Sequence, residues 1–205
     1  MDGSHALARI LLPLSKVVVS MFLSLDGFVV GPKEEMDWVI NNFDVEGMGA
    51  DMSKLQASAG TFLLGRQTYQ VMAGAWPNQT EATSPGADVM NNTPKLVASN
   101  ALRETPWGKY ANASLLRGDA LREIRKLREK PGKDIVTFGS PKLVQSLAQA
   151  GFVDLFHIWL HPTLLGVGKP FFRGEKRLNL KLVASKAYKN GVVRLDYEPI
   201  PVGKG

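Results

Sequence analysis

The sequence predicts a single α/β domain in which helices cover both faces of a mostly parallel sheet and an antiparallel hairpin closes one edge. Along its 205 residues, short apolar runs alternate with helical segments, as in sheets whose parallel strands are joined by helices. An Asn-Gly dipeptide, a strong short-range hairpin signal, separates two strand-like runs near the C-terminus. No repeat, low-complexity tract or flexible linker divides the chain, so we expect one domain with three layers, α/β/α.

The predicted strands are short apolar runs, most of which end at glycine or a small polar residue. The first, residues 17–23, is rich in valine and indicates a strand that is buried on both faces. The later strands in chain order are residues 61–64, 95–98, 114–116, 135–138 and 152–162. The hairpin is expected to pair residues 182–188 with 192–197 around Asn190-Gly191, with a positive φ at both turn positions.

The helices between these strands are predicted from apolar residues that recur on one face and from residues that begin or end a helix. One apolar stripe consists of Met48, Met52, Leu55 and Ala59. A later helix is expected to begin after Asp119, whose side chain can cap it. Another is expected to begin at Ser140-Pro141 and to stop at Gly151.

The composition excludes several classes of site. The chain has no cysteine, which removes disulfides, thiol nucleophiles and iron–sulfur clusters, and it has only three histidines, so we expect no metal site. His157 and His161 are four residues apart, but the apolar residues around them favour a strand and structural or surface roles. The net charge of +6 suits either nucleic acid or an anionic small-molecule cofactor.

Targeting signals are weak. No apolar run reaches the roughly 18–20 residues that cross a bilayer, so we expect a cytoplasmic protein with no membrane partner. Residues 1–14 are predicted to be a mobile extension, and residues 15–201 to form the domain.

Three predicted strands end in residues that suit a phosphate group. They are followed by Gly65-Arg66-x-Thr68, by Ser99-Asn100 and by Gly139-Ser140. Ligands of open α/β sheets bind beyond the carboxyl ends of the strands, where free N–H groups of helix N-termini attract anions. Glycine and serine also occur in ordinary turns, but three such junctions in one small chain favour a phosphate-binding edge.

The common nucleotide fingerprints are absent. Residues 166–171 begin like a dinucleotide-binding motif but carry Phe171 where its third glycine belongs, and they do not form a P-loop. Instead, three motifs in this order and spacing resemble the dihydrofolate reductase-like superfamily. They are Ser24-Leu25-Asp26-Gly27, Leu64-Gly65-Arg66-x-Thr68-Tyr69 and Gly139-Ser140-x-x-Leu143. Within this superfamily, the chain most resembles the reductase domain of the riboflavin-biosynthesis deaminase/reductase and its free-standing bacterial relatives, over about residues 16–199.

The resemblance implies an NADPH-dependent reductase with a dihydrofolate reductase-like fold. The residues that it implies in cofactor binding are Leu25, Gly31, Gly65, Arg66, Gln67, Thr68, Ser99, Asn100, Phe138, Gly139, Ser140 and Leu143. Among these, Ser99 and Asn100 match the loop that holds the 2′-phosphate, and Leu25 and Gly31 match positions that line the nicotinamide. Arg66 is a bidentate partner for phosphate, because its planar guanidinium matches anionic oxygens.

The substrate side is predicted from polar and aromatic residues near the expected pocket. Asp26 and Asp37 are candidate catalytic acids that could hold a heterocycle and assist protonation as hydride arrives, and Trp38 is a candidate substrate-binding residue. Each acid also has a structural interpretation: Asp26 precedes Gly27 as in ordinary turns, and Asp37 can cap a short helix.

The predicted function is hydride transfer from NADPH to a pterin-like or ribosylated-pyrimidine small molecule, as in dihydrofolate reductase or 5-amino-6-(5-phosphoribosylamino)uracil reductase. Relatives in this family are commonly dimers, and the edge hairpin could pair or pack in a homodimer. The alternative is a non-enzymatic protein that binds nucleotide or nucleic acid through its basic surface. The glycines favour the enzyme, since they lie at strand ends rather than on a basic outer face, and no nucleic-acid partner is expected.

Overall fold

A computed structural model of the chain describes residues 14–173 and 176–200. Within these ranges lie ten strands and six α-helices, in an order that alternates as the sequence predicts. The strands are β1 (Val17–Ser24), β2 (Phe28–Val30), β3 (Ala59–Gly65), β4 (Lys95–Ala98), β5 (Ala113–Leu116), β6 (Asp134–Thr137), β7 (Leu155–His161), β8 (Lys169–Pro170), β9 (Leu180–Ala187) and β10 (Val193–Pro199). The helices are α1 (Asp37–Ile40), α2 (Gly47–Ser58), α3 (Arg66–Ala75), α4 (Ala87–Asn92), α5 (Ala120–Arg128) and α6 (Pro141–Gln149).

Eight strands form one sheet in the order β5-β4-β3-β6-β1-β7-β10-β9, and β2 pairs with β8 in a small second sheet. All neighbours from β5 to β7 are parallel, whereas β10 runs antiparallel to both β7 and β9. This arrangement confirms the predicted mostly parallel sheet with a C-terminal antiparallel hairpin. It also places the carboxyl ends of six strands at one edge.

Two hydrophobic clusters, one on each face of the sheet, confirm the three-layer architecture. On one face α5 and α6 contribute Ile124, Val144 and Leu147, all fully buried. On the other face α2, α3 and α4 contribute buried side chains that include Met48, Met52, Leu55, Tyr69 and Met90. Residues of β1 alternate between the two clusters, so this strand is buried on both faces, as its run of valines predicts.

The helix boundaries follow the predicted signals, with one difference. Asp119 caps α5 by accepting a hydrogen bond from the Arg122 N–H at 3.1 Å, and Gly151 after α6 has φ +70°. Ala59, however, does not extend the apolar stripe of α2. It is the first residue of β3 and pairs with Asp134 of β6, so sheet pairing outweighs helical periodicity here.

The C-terminal hairpin is present, but its turn differs from the prediction. Gly191 has φ +83°, whereas Asn190 does not have a positive φ, so the expectation of a positive φ at both positions is wrong. The Asn190 side chain instead accepts a hydrogen bond from the Val192 N–H at 3.2 Å. A bond from the Tyr188 N–H to the Val192 carbonyl at 2.9 Å closes the turn.

Two other predictions concern the N-terminal extension and a membrane span. Most of the predicted mobile extension, residues 1–13, lies outside the described residues, while Leu14 forms a β-bridge with Pro131. Among the helices of residues 14–173 and 176–200, none is long and apolar enough to cross a membrane.

Candidate functional site

The glycine junctions after β3 and β6 meet at the carboxyl edge of the sheet. The Gly65 N–H donates to the Gly139 carbonyl at 2.9 Å, which joins the two strand ends directly. A Cβ atom on Gly65 would lie 2.5 Å from Ser140 Oγ and 2.8 Å from Ser140 N. Only glycine therefore permits this close approach, and the structure brings together two of the three predicted phosphate junctions.

Helices α3 and α6 begin at these junctions. Their N-cap residues, Gly65 and Ser140, have extended backbone and form no side-chain capping hydrogen bond. The N–H groups of the first turns are thus left without a capping side chain, and they lie where an anion can accept from them. The Ser140 hydroxyl makes no cap, so it is available to a ligand.

Gly139 and Thr68 complete this junction. Gly139 has φ +117°, and a Cβ atom there would lie 3.1 Å from Thr68 Oγ1 and 3.5 Å from Met21 Sδ. The backbone at Gly139 is therefore enclosed by β1 and α3. Because two glycines and two hydroxyl side chains surround the same point, the chain can approach a diphosphate closely with its backbone.

The third junction, Ser99-Asn100, follows β4, the neighbour of β3. Gly65 and Ala98 are paired in register, so Ser99 lies beside the start of α3. Ser99 Oγ accepts from the backbone N–H groups of Ala101 and Leu102 at 3.2 and 3.1 Å. Asn100 Oδ1 accepts from the Gly118 N–H at 2.9 Å and so ties this loop to the one after β5.

Arg66 and Gln67 are exposed residues at the start of α3. Arg66 forms no ion pair with any residue that the structure describes. Gln67 accepts from Lys169 Nζ at 2.7 Å and donates to Glu34 Oε1 at 3.3 Å. These bonds connect α3 to β8 and to the loop after β2. Neither partner is predicted by the local sequence, since both are far from Gln67 in the chain.

The remaining predicted cofactor residues differ in their accessibility. Leu143 is buried in the core, and Phe138 is half-buried with its ring centroid 5.5 Å from that of Phe62. Leu25 is 57% exposed, and its N–H donates to the Thr163 carbonyl at 2.8 Å. Gly31 is buried at the end of β2. Leu25 is thus free to contact a ligand, whereas Leu143 contributes chiefly to packing.

Two open grooves flank β8 and share basic side chains. The larger, of about 750 Å³, runs along α6, and the smaller, of about 330 Å³, includes Gly31 and Glu34. Both are lined by Lys169 and Arg173, and Lys142 joins them in the larger groove. The positive charge of these side chains suits an anionic ligand.

Asp26 joins the loop after β1 to the loop after β7. Its carboxylate accepts from Ser24 Oγ at 2.6 Å and from the N–H groups of Leu165 and Gly166 at 3.1 and 2.7 Å. The Ser24 hydrogen bond, reinforced by these backbone donors, lowers the pKa of Asp26. An ionised carboxylate that already accepts several hydrogen bonds is better suited to hold the two loops together than to donate a proton.

Asp37 and Trp38 begin α1 but face different surroundings. Asp37 is exposed and caps no helix, while Trp38 is buried. The Trp38 ring lies 5.1 Å from the His161 ring, centroid to centroid, and nearly perpendicular to it. His161 is fully buried at the end of β7, and burial lowers its pKa to about 4. No local sequence signal indicates this contact, because the two residues belong to distant segments.

Comparison with known proteins gives one family and several similar chains. The RibD C-terminal domain family matches residues 15–194. The uncharacterized protein YyaP of Bacillus subtilis (strain 168) is 29% identical over 185 residues, which cover 89% of this chain and 94% of YyaP. The match confirms the resemblance seen in the sequence motifs.

Solved structures of bacterial proteins share the fold. A putative riboflavin biosynthesis protein from Shewanella sp. PV-4 superimposes with a TM-score of 0.75 at 20% identity, covering 91% of this chain and 99% of that one. Dihydrofolate reductase from Enterococcus faecalis, in complex with NADP(H), superimposes with a TM-score of 0.59 at 12% identity, covering 93% of this chain and all of that one. The fold is therefore dihydrofolate reductase-like.

Proposed function

The chain belongs to the RibD C-terminal domain family, and we propose that it is an NADPH-dependent reductase of a small nitrogen heterocycle. The family and the reductases that share its fold support an oxidoreductase of reductase type. The residues of the site support the cofactor, and the proteins that share the fold support the substrate class.

One observation carries the proposal: the N-termini of α3 and α6 converge at Gly65 and Gly139-Ser140. Two glycines at the point of contact, two uncapped helix N-termini and the hydroxyls of Thr68 and Ser140 fit the diphosphate of a dinucleotide. NADPH bound there would supply a hydride. The preference for NADPH over NADH rests on Arg66, which is exposed and can pair with a 2′-phosphate. Arg66 follows Gly65, whose register partner Ala98 precedes Ser99 and Asn100.

On the substrate side, the two predicted acids receive different roles. Asp37 is exposed next to Trp38, so we assign it to hold the substrate and to aid its protonation. Asp26 is assigned to position the loop that carries Leu25, because its carboxylate is bonded to both loops at this edge. A pterin-like or ribosylated-pyrimidine substrate is proposed because the proteins that share the fold include a putative riboflavin biosynthesis protein and a dihydrofolate reductase.

A direct test follows the absorbance of NADPH in the presence of dihydrofolate, dihydropterins and ribosylaminopyrimidines. We expect oxidation with at least one of them. Asp37→Asn should lower the rate about 100-fold or more, since a positioned acid or base contributes roughly 10²–10⁴-fold to the rate. Asp88→Asn, an exposed carboxylate at the start of α4, is the control and should not change the rate. Salt-sensitive binding of nucleic acid without NADPH binding would favour the non-enzymatic alternative.

We also propose that the protein is a homodimer that associates through β9. This edge strand is exposed along all eight residues, and Leu182 and Val183 remain 48% and 44% exposed. An exposed apolar edge strand favours pairing with a second copy. Light scattering should give twice the chain mass of 22.4 kDa, and Val183→Lys should give the single-chain mass. A single-chain mass for the unaltered protein at high concentration would contradict the dimer.

A further inference from the structure

Three buried nitrogen atoms near the substrate side have no hydrogen-bond partner among the residues that the structure describes. They are Trp38 Nε1 and both ring nitrogens of His161. Buried polar groups in native proteins are nearly always hydrogen-bonded, and those left unpaired lower stability. Because the two rings lie 5.1 Å apart, the unpaired atoms form one cluster.

The position of this cluster places it next to the proposed reaction site. His161 ends β7 and pairs in register with Ser24, which ends β1 and precedes Leu25. Two residues later, the Thr163 carbonyl accepts the Leu25 N–H at 2.8 Å. The cluster therefore lies at the carboxyl edge of the sheet, beneath the loop that we assign to the nicotinamide end of the cofactor.

The chemistry of the unpaired atoms defines a complementary ligand. The indole N–H of Trp38 can only donate, while a neutral imidazole has one N–H donor and one nitrogen that accepts. Burial keeps His161 neutral near pH 7 by lowering its pKa to about 4. An adjacent carbonyl and ring N–H, a lactam edge, offers the matching acceptor and donor.

We infer that Trp38 and His161 form the hydrogen-bonding wall of the substrate pocket and bind the lactam edge of a planar nitrogen heterocycle. This inference rests on the proposed function and names the part of the substrate that is recognised. The ligand carbonyl accepts from Trp38 Nε1, and the ligand N–H donates to one ring nitrogen of His161. Because Trp38 and His161 are both buried, the ligand reaches these atoms only when Trp38 shifts, and such a shift involves α1, a helix of only four residues.

Calorimetry with two probes tests the inference, in the presence and absence of NADP⁺. Pteridine-2,4-dione has both lactam edges, whereas its 1,3-dimethyl derivative keeps the carbonyls and lacks the N–H groups. The protein should bind the first probe at least ten-fold more tightly, since a site built for a hydrogen bond rejects an analogue without it. His161→Phe should abolish this preference, and the control His157→Gln, on the same strand, should keep it.

A second measurement uses the unaltered protein, so that it does not depend on the folding of a variant. With ¹⁵N-labelled histidine, the ring nitrogens of His161 should shift when pteridine-2,4-dione is added and not when the dimethyl derivative is added. Unshifted His161 nitrogens, equal binding of the two probes, or binding of neither would each overturn the inference. Probe preference without NADPH binding would reject the proposed reductase but keep the heterocycle site. NADPH binding without probe preference would reject the heterocycle site but keep the proposed reductase.

Discussion

The junction of β3 with β6 and the hairpin of β9 with β10 belong to one sheet, yet different interactions hold them. At the β3–β6 junction, the backbones touch at Gly65 and Gly139, and the helix N-termini there have no capping side chains. At the hairpin, charged side chains satisfy one another. The polar groups of the first region are available to a ligand, whereas those of the second are paired with one another and attach the hairpin to α2.

Asp51 of α2 is the centre of the hairpin's charge network. Its carboxylate accepts hydrogen bonds from Lys186 Nζ at 2.6 Å and from the Tyr188 hydroxyl at 2.7 Å, and it forms an ion pair with Arg194 Nη1 at 3.2 Å. Burial alone would raise the pKa of Asp51, but the hydrogen bonds from Lys186 and Tyr188 outweigh it and hold that pKa at about 2. Arg194 Nε lies 3.0 Å from Asp196, which extends the network across β10.

The largest expected effect comes from removing the centre of this network. Asp51→Ala removes the carboxylate, 10% exposed, that Lys186, Tyr188 and Arg194 share, so the free energy of unfolding should fall by about 3–4 kcal/mol. Urea unfolding measures the change, and the folded variant should bind NADPH with unaltered affinity. Lys54→Ala is the control, because Lys54 is exposed at 3.6 Å from Asp51 and should change stability by less than about 0.5 kcal/mol. A loss below about 1 kcal/mol in Asp51→Ala would contradict the central role of this carboxylate.

The next largest effect is the dependence of stability on pH, which arises from His161 at the end of β7. This strand is parallel to β1 and antiparallel to β10, so it joins the two regions. Because burial lowers the pKa of His161 to about 4, the unfolded chain binds a proton between pH 6.5 and 4 that the folded chain does not. Unfolding free energy should therefore decrease as pH falls through this window, by up to about 3 kcal/mol. Urea titrations of the ligand-free protein at several pH values measure it. In His161→Phe the decrease should be smaller, and an identical pH profile would contradict the assignment.

A smaller effect is expected at the ligand edge and in binding rather than stability. Arg66→Ala should weaken NADPH binding by about 2 kcal/mol, the loss of a charge-assisted contact, and NADH binding much less. Fluorescence titration with both nucleotides measures the difference, and unfolding should be almost unaffected. Arg122→Ala, on the exposed face of α5, is the matched control. Equal losses for NADPH and NADH would show that Arg66 does not contact the 2′-phosphate.

The smallest effect provides a reference outside both regions. Asp119→Ala removes the cap of α5 and should lower the unfolding free energy by about 1 kcal/mol, with no change in nucleotide binding. Asp119→Ser, which keeps a capping oxygen, should restore most of the loss. If Asp119→Ala weakens NADPH binding as well, the separation of stability from binding described above is incomplete.

Features that depend on adjacent residues could be predicted from the sequence. Asp119 caps its helix through a residue three positions away, and Gly65 and Gly139 lie at ends of strands whose apolar runs are continuous. Parallel strands then bring the glycines together, because the carboxyl ends of such strands share one edge.

Features that depend on residues distant in the chain could not be predicted from the sequence. Asp51 meets Lys186 and Tyr188 more than one hundred positions later in the chain, and Trp38 meets His161 in the same way. Neither residue stands in a local pattern that differs from an ordinary helix or strand. Ala59 shows the same limit, since its pairing with Asp134 of β6 and not its spacing from Leu55 decides its conformation.

The place of β1 in the sheet has a consequence for synthesis on the ribosome. This strand is made first, but its neighbours are β6 and β7, which begin at Asp134 and Leu155. At roughly 5–20 residues per second, the apolar run of β1 waits on the order of 6–25 s before either neighbour is made. During that interval an uncharged, valine-rich segment can associate with other nascent chains. This strand order therefore predicts a greater tendency to aggregate during synthesis than the stability of the finished protein alone would indicate.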